Sequence, residues 1–452
     1  MNNSKIEEYL KLLKQGGFAP DTATGSRENF AVDGNEPDVV ISPKSFEETA
    51  QAVRSAQASG IPVFPCGGLT RSHIGNPVDD YALALNTKNL NSVIEYEPAE
   101  LLIVTSAGIT IGEINKVLSE NNQILPLNPP DLERATIGGT LASNAYGYLR
   151  DTYGSARDMT LGLHAVMADG SSVKSGGKVA KNVAGYDLTR LMIGSWGTLG
   201  IVTQAALRVQ PMPELYRTFL AGFRGINDAI GCSFRILDSH FKPLFLMLLN
   251  GALMSRLMSG TGNSLESRSS YYIVMGIDGL PETVKWQERE LTTVVREYHA
   301  GLYSEIPENT QHEVRSGLQN CCSGDYEGII CKVVSTRSGT EKLLRYLDDT
   351  IDKPDNIEIV SLFGSGGTHI LFPGFSDTGE TGRSRIASFI GALRAQVKKQ
   401  GGSLTLEKAP VALKNSLGVW EEFPGESLMR KLKLKLDPAN LLNPERFIRV
   451  ST

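Results

Sequence analysis

The sequence predicts an α+β protein of more than one domain, and three observations predict it. The chain has 452 residues, enough for about three folding units at roughly 150 residues each. Its N-terminal half alternates short apolar runs, helical stretches and glycine clusters, and from about Leu215 the glycine loops thin out. Hydrophobic residues make up 41% and charged residues 21%, which suits buried cores and excludes a disordered chain.

The elements follow in order. Asp38 to Ile41 reads as a strand, and Ser42-Pro43 as the cap and first turn of a helix. Phe46, Ala50, Val53 and Ala56 share one face of that helix, which Gly60 stops. Ile61 to Phe64 is a second strand feeding the glycine loop Cys66-Gly-Gly-Leu-Thr70. Leu101 to Thr105 is strand-like. Thr110 and Glu113 have capping-box spacing, and Ile111, Ile114 and Leu118 give the next helix a buried face. Asp169-Gly170 between apolar runs predicts a hairpin, and Ile201 to Val209 a further strand. Beyond Leu215, strands are expected at Thr218–Phe223, Tyr271–Gly276 and Gly328–Val334, with helices at Glu282–Glu297 and Lys342–Ile351. Ser259 to Ser264 reads as a flexible link.

Composition excludes several classes. The net charge of −5 gives no general attraction to nucleic acid or anionic lipid. Five scattered cysteines without a CxxC do not support a disulfide scaffold, an iron–sulfur cluster or structural zinc, and no metal site is expected. The longest apolar run, Leu244 to Leu249, is far short of the roughly 20 residues of a membrane helix, and the N-terminus lacks an apolar signal core. The expectation is a cytoplasmic chain that reaches a membrane only through a partner. No GxGxxG, HExxH or GxSxG occurs, and Gly177-Lys178 lacks the rest of a Walker loop.

Three glycine clusters remain: Pro65 to Pro77, Thr136 to Gly147, and Gly194 to Gly200. Glycine lets the main chain approach a diphosphate closely and offer its N–H groups. Hydroxyls at Thr70, Thr140 and Ser143 would add hydrogen bonds, and Gly138-Gly139 opening a helix would add the N-terminal dipole. Singly, each cluster also suits tight turns; together they point to a nucleotide cradle.

The run Gly177-Lys-Val-Ala-Lys-Asn-Val-Ala-Gly-Tyr-Asp-Leu188, followed by Gly194-Ser-Trp-Gly-Thr-Leu-Gly200, resembles the FAD-binding E subunits of glycolate oxidase. These belong to the vanillyl-alcohol oxidase and p-cresol methylhydroxylase (PCMH) flavoproteins. The resemblance spans residues 36–213 and returns at Gly402 to Trp420 and Leu436 to Phe447. It implies an N-terminal helical segment (1–35), a two-subdomain PCMH-type FAD-binding domain (36–213), an α+β cap (214–425), and a C-terminal segment (426–452) completing the FAD domain.

Position by position, the resemblance puts Gly67, Gly68, Leu69, Thr70 and Arg71 in a first pyrophosphate loop closed by Gly75. Thr136, Gly138, Gly139, Thr140, Ser143 and Asn144 fall in a second, and Gly200, Ile201 and Val202 lie along the flavin. Lys181, Asn182, Tyr186 and Asp187 match the E-subunit signature; Asp187 equally suits a helix cap. Lys178 or Lys181 would place a positive charge near flavin N1, or be two solvated lysines. Leu69 stands where many relatives carry a flavin-linking His, so non-covalent FAD is implied, and Trp196 stands where many carry Glu. The HxH…GDGNxH segment of catalytic relatives is missing. Of six histidines, only His369 lies in a glycine-rich strand context, and it is the candidate catalytic residue.

Three functions follow from the resemblance. One is an FAD-dependent 2-hydroxy-acid (glycolate or D-lactate) dehydrogenase subunit, working with a sister FAD subunit and an iron–sulfur subunit. A second is a flavin-binding structural or electron-relay subunit without turnover of its own. A third is a binding module for another nucleotide.

Overall fold

The structure is a computed structural model that describes residues 3–17, 27–78, 81–177, 186–259, 269–350, 354, 356–374 and 380–450. The chain divides into two compact units. The first holds residues 1–146, 154–212 and 422–452, and the second residues 147–153 and 213–421.

In the first unit the β-α-β pattern forms a parallel three-stranded sheet, ordered Val39–Ile41, Leu83–Asn86, Val63–Cys66. The helix Phe46–Ser59 buries Ala50, Val53 and Ala56 and ends on Gly60 in the left-handed region (φ 62°). Its cap is Ser45 rather than Ser42: the Ser45 hydroxyl accepts the Glu48 N–H at 3.2 Å. Pro43 disfavours helix for the residue before it, so the chain stays extended through Ser42. The Thr110–Glu113 capping box opens the helix Ile111–Ser119, with Ile111, Ile114 and Leu118 buried. The predicted hairpin pairs Thr160–Val166 with Ser172–Gly176. It sits in an antiparallel five-stranded sheet ordered Val93–Glu97, Leu102–Ser106, Ile201–Arg208, Thr160–Val166, Ser172–Gly176.

The C-terminal stretch returns to the three-stranded sheet. The Val63 N–H donates to the Leu441 carbonyl at 2.8 Å, and the Asn443 N–H to the Val63 carbonyl at 2.8 Å. Leu441 and Leu442 are buried in the same cluster as Val63 and Leu83.

The second unit is an eight-stranded antiparallel sheet. Its order is Leu302–Glu305, Leu215–Phe223, Tyr271–Gly279, Phe245–Asn250, Glu358–Leu362, Gly367–Pro373, Gly328–Val334, Ser403–Lys408. Alternate residues such as Ala221, Ile273, Leu248 and Cys331 enter one core with residues of four helices: Ile226–Leu237, Pro281–Glu297, Arg337–Asp349 and Glu380–Lys399. Each fully buried Leu or Ile contributes about 1.5–3 kcal/mol, so this core carries the unit. One of these helices differs from expectation in detail. Arg337–Asp349 begins at the Thr336 cap, whose hydroxyl accepts the Gly339 N–H, ahead of the predicted Lys342. The link at 259–264 falls, except for Ser259, outside the described residues.

Within this unit Asp151 packs against the Gly364-Ser365 turn, and burial pushes its carboxyl above the usual range. The folded state therefore holds this proton more tightly than the unfolded chain. That contribution to stability is present below the ordinary carboxylate range and lost as pH rises through the folded value. The ionised buried group is thus a cost at neutral pH. Asp151→Asn is expected to raise the unfolding temperature at pH 7, with the gain vanishing toward pH 4; calorimetry across that range checks it.

Candidate functional site

An open cleft lies within the first unit. Its walls come from the turn after strand Val63–Cys66, the start of the helix Ile137–Ser143, the 196–202 segment, and Asn443 with Arg446.

The first two turns touch each other. A Cβ on Gly68 would sit 1.7 Å from the Arg134 carbonyl oxygen, and one on Gly67 would sit 2.3 Å from the Thr136 hydroxyl. These glycines are therefore required by the approach of turn to turn. Beyond them Leu69 takes a left-handed backbone (φ 58°), which is uncommon for a non-glycine residue. Among the described residues, the N–H groups of Gly67, Gly68, Leu69 and Thr70 make no hydrogen bond. Four successive unbonded amides in such a turn form an anion-binding concavity. Arg71 follows directly and also lines the cleft.

The helix Ile137–Ser143 behaves differently from expectation. Its opening amides are already used: Ile137 donates to Ile109, Gly138 to Ala107, and Gly139 to the Thr136 hydroxyl. Its hydroxyls also turn inward, Thr140 to the Thr136 carbonyl at 2.9 Å and Ser143 to the Gly139 carbonyl at 2.7 Å. The dipole remains, but the N–H donors belong to the first turn. The helix's C-terminal carbonyls, orphaned in any helix, are taken by the third cluster. Gly194 donates to Leu141 at 2.9 Å, and Trp196, itself left-handed (φ 57°), to Ala142 at 2.7 Å.

Two buried cations from the C-terminal stretch hold these turns. Arg446 pairs with Asp33 at 2.7 Å and donates to the carbonyls of Ser72 and Asn76. Burial draws its guanidinium down, against the opposing pull of Asp33. Lys433 donates to Thr198 at 2.9 Å, to Leu442 at 2.7 Å and to Asp437. Burial lowers its ammonium too, and Asp437 opposes the shift. Asn443 donates to the Trp196 carbonyl at 2.6 Å. Burial pushes the Cys66 thiol in the cleft wall up to about 12, so it is an inert thiol at neutral pH.

Of the sequence-predicted residues, Gly67 to Arg71, Thr136, Gly138, Gly139, Ser143 and Gly200 to Val202 line the cleft. Thr140, Asn144 and Gly75 do not. Thr140 is buried inside its helix, and Asn144 is the helix's left-handed C-cap. Gly75 (φ 121°) clears Arg446, which a Cβ would meet at 2.7 Å. Lys178, Lys181 and Asn182 lie outside the described residues. Tyr186 is 94% exposed, and Asp187 caps the short helix Leu188–Met192. Sequence reasoning missed Phe64, Asn443 and Arg446 in the wall. The Leu436–Phe447 run was the available signal for the last two, but only folding brings them to the first turn.

His369 lies in the second unit, buried on strand Gly367–Pro373, with Nε2 3.6 Å from a Glu407 oxygen. No three His, Cys, Asp or Glu residues cluster to hold a metal among the described residues. No helix there is long and apolar enough to cross a membrane.

Fold and cleft define a class: an α+β protein with a glycine-turn cleft in one unit and a separate large antiparallel-sheet unit. Residues 37–176 match the family described as FAD binding domain, and residues 212–447 match FAD linked oxidases, C-terminal domain. The chain belongs to the FAD-linked oxidases, in the group with the PCMH-like fold. It is an FAD-linked oxidoreductase related to glycolate oxidase and D-lactate dehydrogenases.

Glycolate oxidase subunit GlcD of Bacillus subtilis is 27% identical over 418 residues, covering 90% of this chain and 88% of that protein. D-lactate dehydrogenase of Archaeoglobus fulgidus is 26% identical, covering 95% and 94%. Glycolate oxidase subunit GlcE of Escherichia coli is 34% identical over 222 residues, 48% of this chain and 62% of that protein. Among solved structures, p-cresol methylhydroxylase with bound substrate aligns over 100% of this chain and 97% of its own, with a TM-score of 0.74 at 15% identity.

Gly68→Ala is expected to drive the first two turns apart. The cost should reach about 1–3 kcal/mol, the scale of an overpacked site. Thermal unfolding checks the loss. A variant as stable as the wild type would mean that the turn contact is soft.

Proposed function

We propose that this chain binds FAD non-covalently in the cleft and oxidises a small 2-hydroxy acid, glycolate or D-lactate. It would act as the FAD-binding subunit of a complex with a sister FAD subunit and an iron–sulfur subunit that takes the electrons. The observation that carries the reading is the run of four unbonded amides, Gly67 to Thr70, lining an open cleft.

The residues fit the cofactor. The amide concavity, the Thr70 hydroxyl and the Arg71 guanidinium suit a diphosphate. Trp196, Phe64, Ile74 and Val202 supply apolar wall for planar rings. The non-covalent attachment is supported by Leu69, which has no nucleophile to offer the flavin.

FAD, when bound, supplies a two-electron acceptor for the hydride from substrate C2. The chain's part is to hold the dinucleotide and to take the hydroxyl proton. His369 is the proposed proton acceptor. General-base work of this kind contributes about 10²–10⁴-fold. The relatives named as glycolate oxidase subunits support membership of a complex.

The purified chain is expected to be yellow, to release all its FAD into the supernatant on acid precipitation, and to bleach anaerobically with glycolate or D-lactate. A yellow protein that stays oxidised supports the electron-relay role, and a protein that cannot be reconstituted with FAD overturns the reading. Trp196, Trp286 and Trp420 are the only tryptophans. FAD added to the apo chain should therefore quench the indole emission that Trp196→Leu removes.

A further inference from the structure

We infer that Asn443 is a specificity residue of the cleft, and that its side-chain oxygen accepts an N–H from the edge of a planar ring of the bound dinucleotide; this rests on the FAD reading proposed above. Every group involved belongs to the first unit.

The Asn443 amide is fixed in place and in orientation. Its backbone N–H donates to the Val63 carbonyl at 2.8 Å, next to the buried Leu441 and Leu442. Its side-chain Nδ2 donates to the Trp196 carbonyl at 2.6 Å. Trp196 offers only an acceptor there, so the nitrogen of the amide must face it. The reversed amide would set two oxygens against each other. Oδ1 is therefore the arm without a protein partner: it is buried and makes no hydrogen bond among the described residues. Asn443 as a whole is 6% exposed and lines the cleft.

Two features of this residue have causes inside the chain, and neither uses Oδ1. The backbone is left-handed (φ 43°), which Asn tolerates better than most residues. Nδ2 fastens the turn at Trp196. A buried acceptor without a donor is costly, and native folds keep few of them. The cleft is where Asn443 meets a ligand, so the missing donor comes from what fills it. The neighbouring wall is short of polar groups that would hold a water instead. A Cβ on Gly197 would meet Asn443 Nδ2 and Pro65 Cγ, both at 3.4 Å, and Phe64 and Trp196 line the same cleft. Such a wall suits a ring face. The ring must then carry an N–H on the edge that meets Oδ1, and a ring with a carbonyl there is rejected. FAD has two edges of the right kind, the adenine amine and flavin N3–H.

The test titrates FAD and two analogues into the unloaded full chain and reads the quenching of flavin and indole emission. One analogue carries hypoxanthine for adenine, a carbonyl where the amine was; the other is methylated at flavin N3. The wild type should bind FAD about 3–10-fold more tightly than one of the two, the worth of a single hydrogen bond. The analogue that loses affinity names the ring Asn443 reads. N443G keeps the left-handed backbone without the oxygen and should bind FAD and that analogue equally; N443A should do the same. A wild type that binds FAD and both analogues alike overturns the inference, and so does a preference that survives in N443G or N443A. A wild type that takes up no FAD overturns the cofactor reading itself, and the inference with it.

Discussion

The close approach of two turns is the constraint on which the first unit depends. The main chain at Gly67-Gly68 passes so near Arg134 and Thr136 that no side chain fits between them. That contact fixes where the Gly67 to Thr70 amides point. Strand Val63–Cys66 delivers the first turn and the Thr136 cap anchors the second. Both strand and cap are local features, but the contact between them spans about 70 residues. Its order therefore comes from packing rather than from either turn's own propensity.

Packing alone does not hold such turns, and the last thirty residues supply the remainder. Arg446 is charge-balanced by Asp33 and spends its donors on the carbonyls of Ser72 and Asn76. Lys433 does the same for Thr198 and Leu442, while Asp437 accepts the N–H groups of Leu441 and Leu442. A buried ion pair contributes little net stability, because desolvation offsets the attraction. Its value here is directional. Each cation satisfies carbonyls that a loop otherwise leaves without partners, so one geometry of each turn is selected over many.

Much of this was legible in the sequence, and the reasons differ by element. Thr110 to Glu113, Gly60 and Asp169-Gly170 carry their geometry in a few adjacent residues, and each stands as expected. The first and second glycine clusters, grouped in the sequence by recurring glycine and hydroxyl residues, line one cleft. The helix opening at Ile137 was misjudged. Sequence shows glycines at a helix start but not that Ile109, Ala107 and Thr136 take their amides. Thr140 was misjudged likewise, since its hydroxyl folds back onto its own helix. Arg446 and Asn443 were not singled out, because nothing near them in sequence marks their distant partners.

The unbonded amides also explain why the turn is built as it is. A backbone N–H removed from water without a partner is costly, and native folds rarely keep one. Four in succession persist only where solvent or a ligand reaches them, and an open cleft provides that access. The left-handed backbone at Leu69 is the local cost of that arrangement. The contacts of Gly67 and Gly68 with the second turn, and the grip of Arg446 on Ser72 and Asn76, keep it from relaxing. Binding strength in such a site comes from donors held ready before the ligand arrives, so what stabilises the empty turn also sets the affinity.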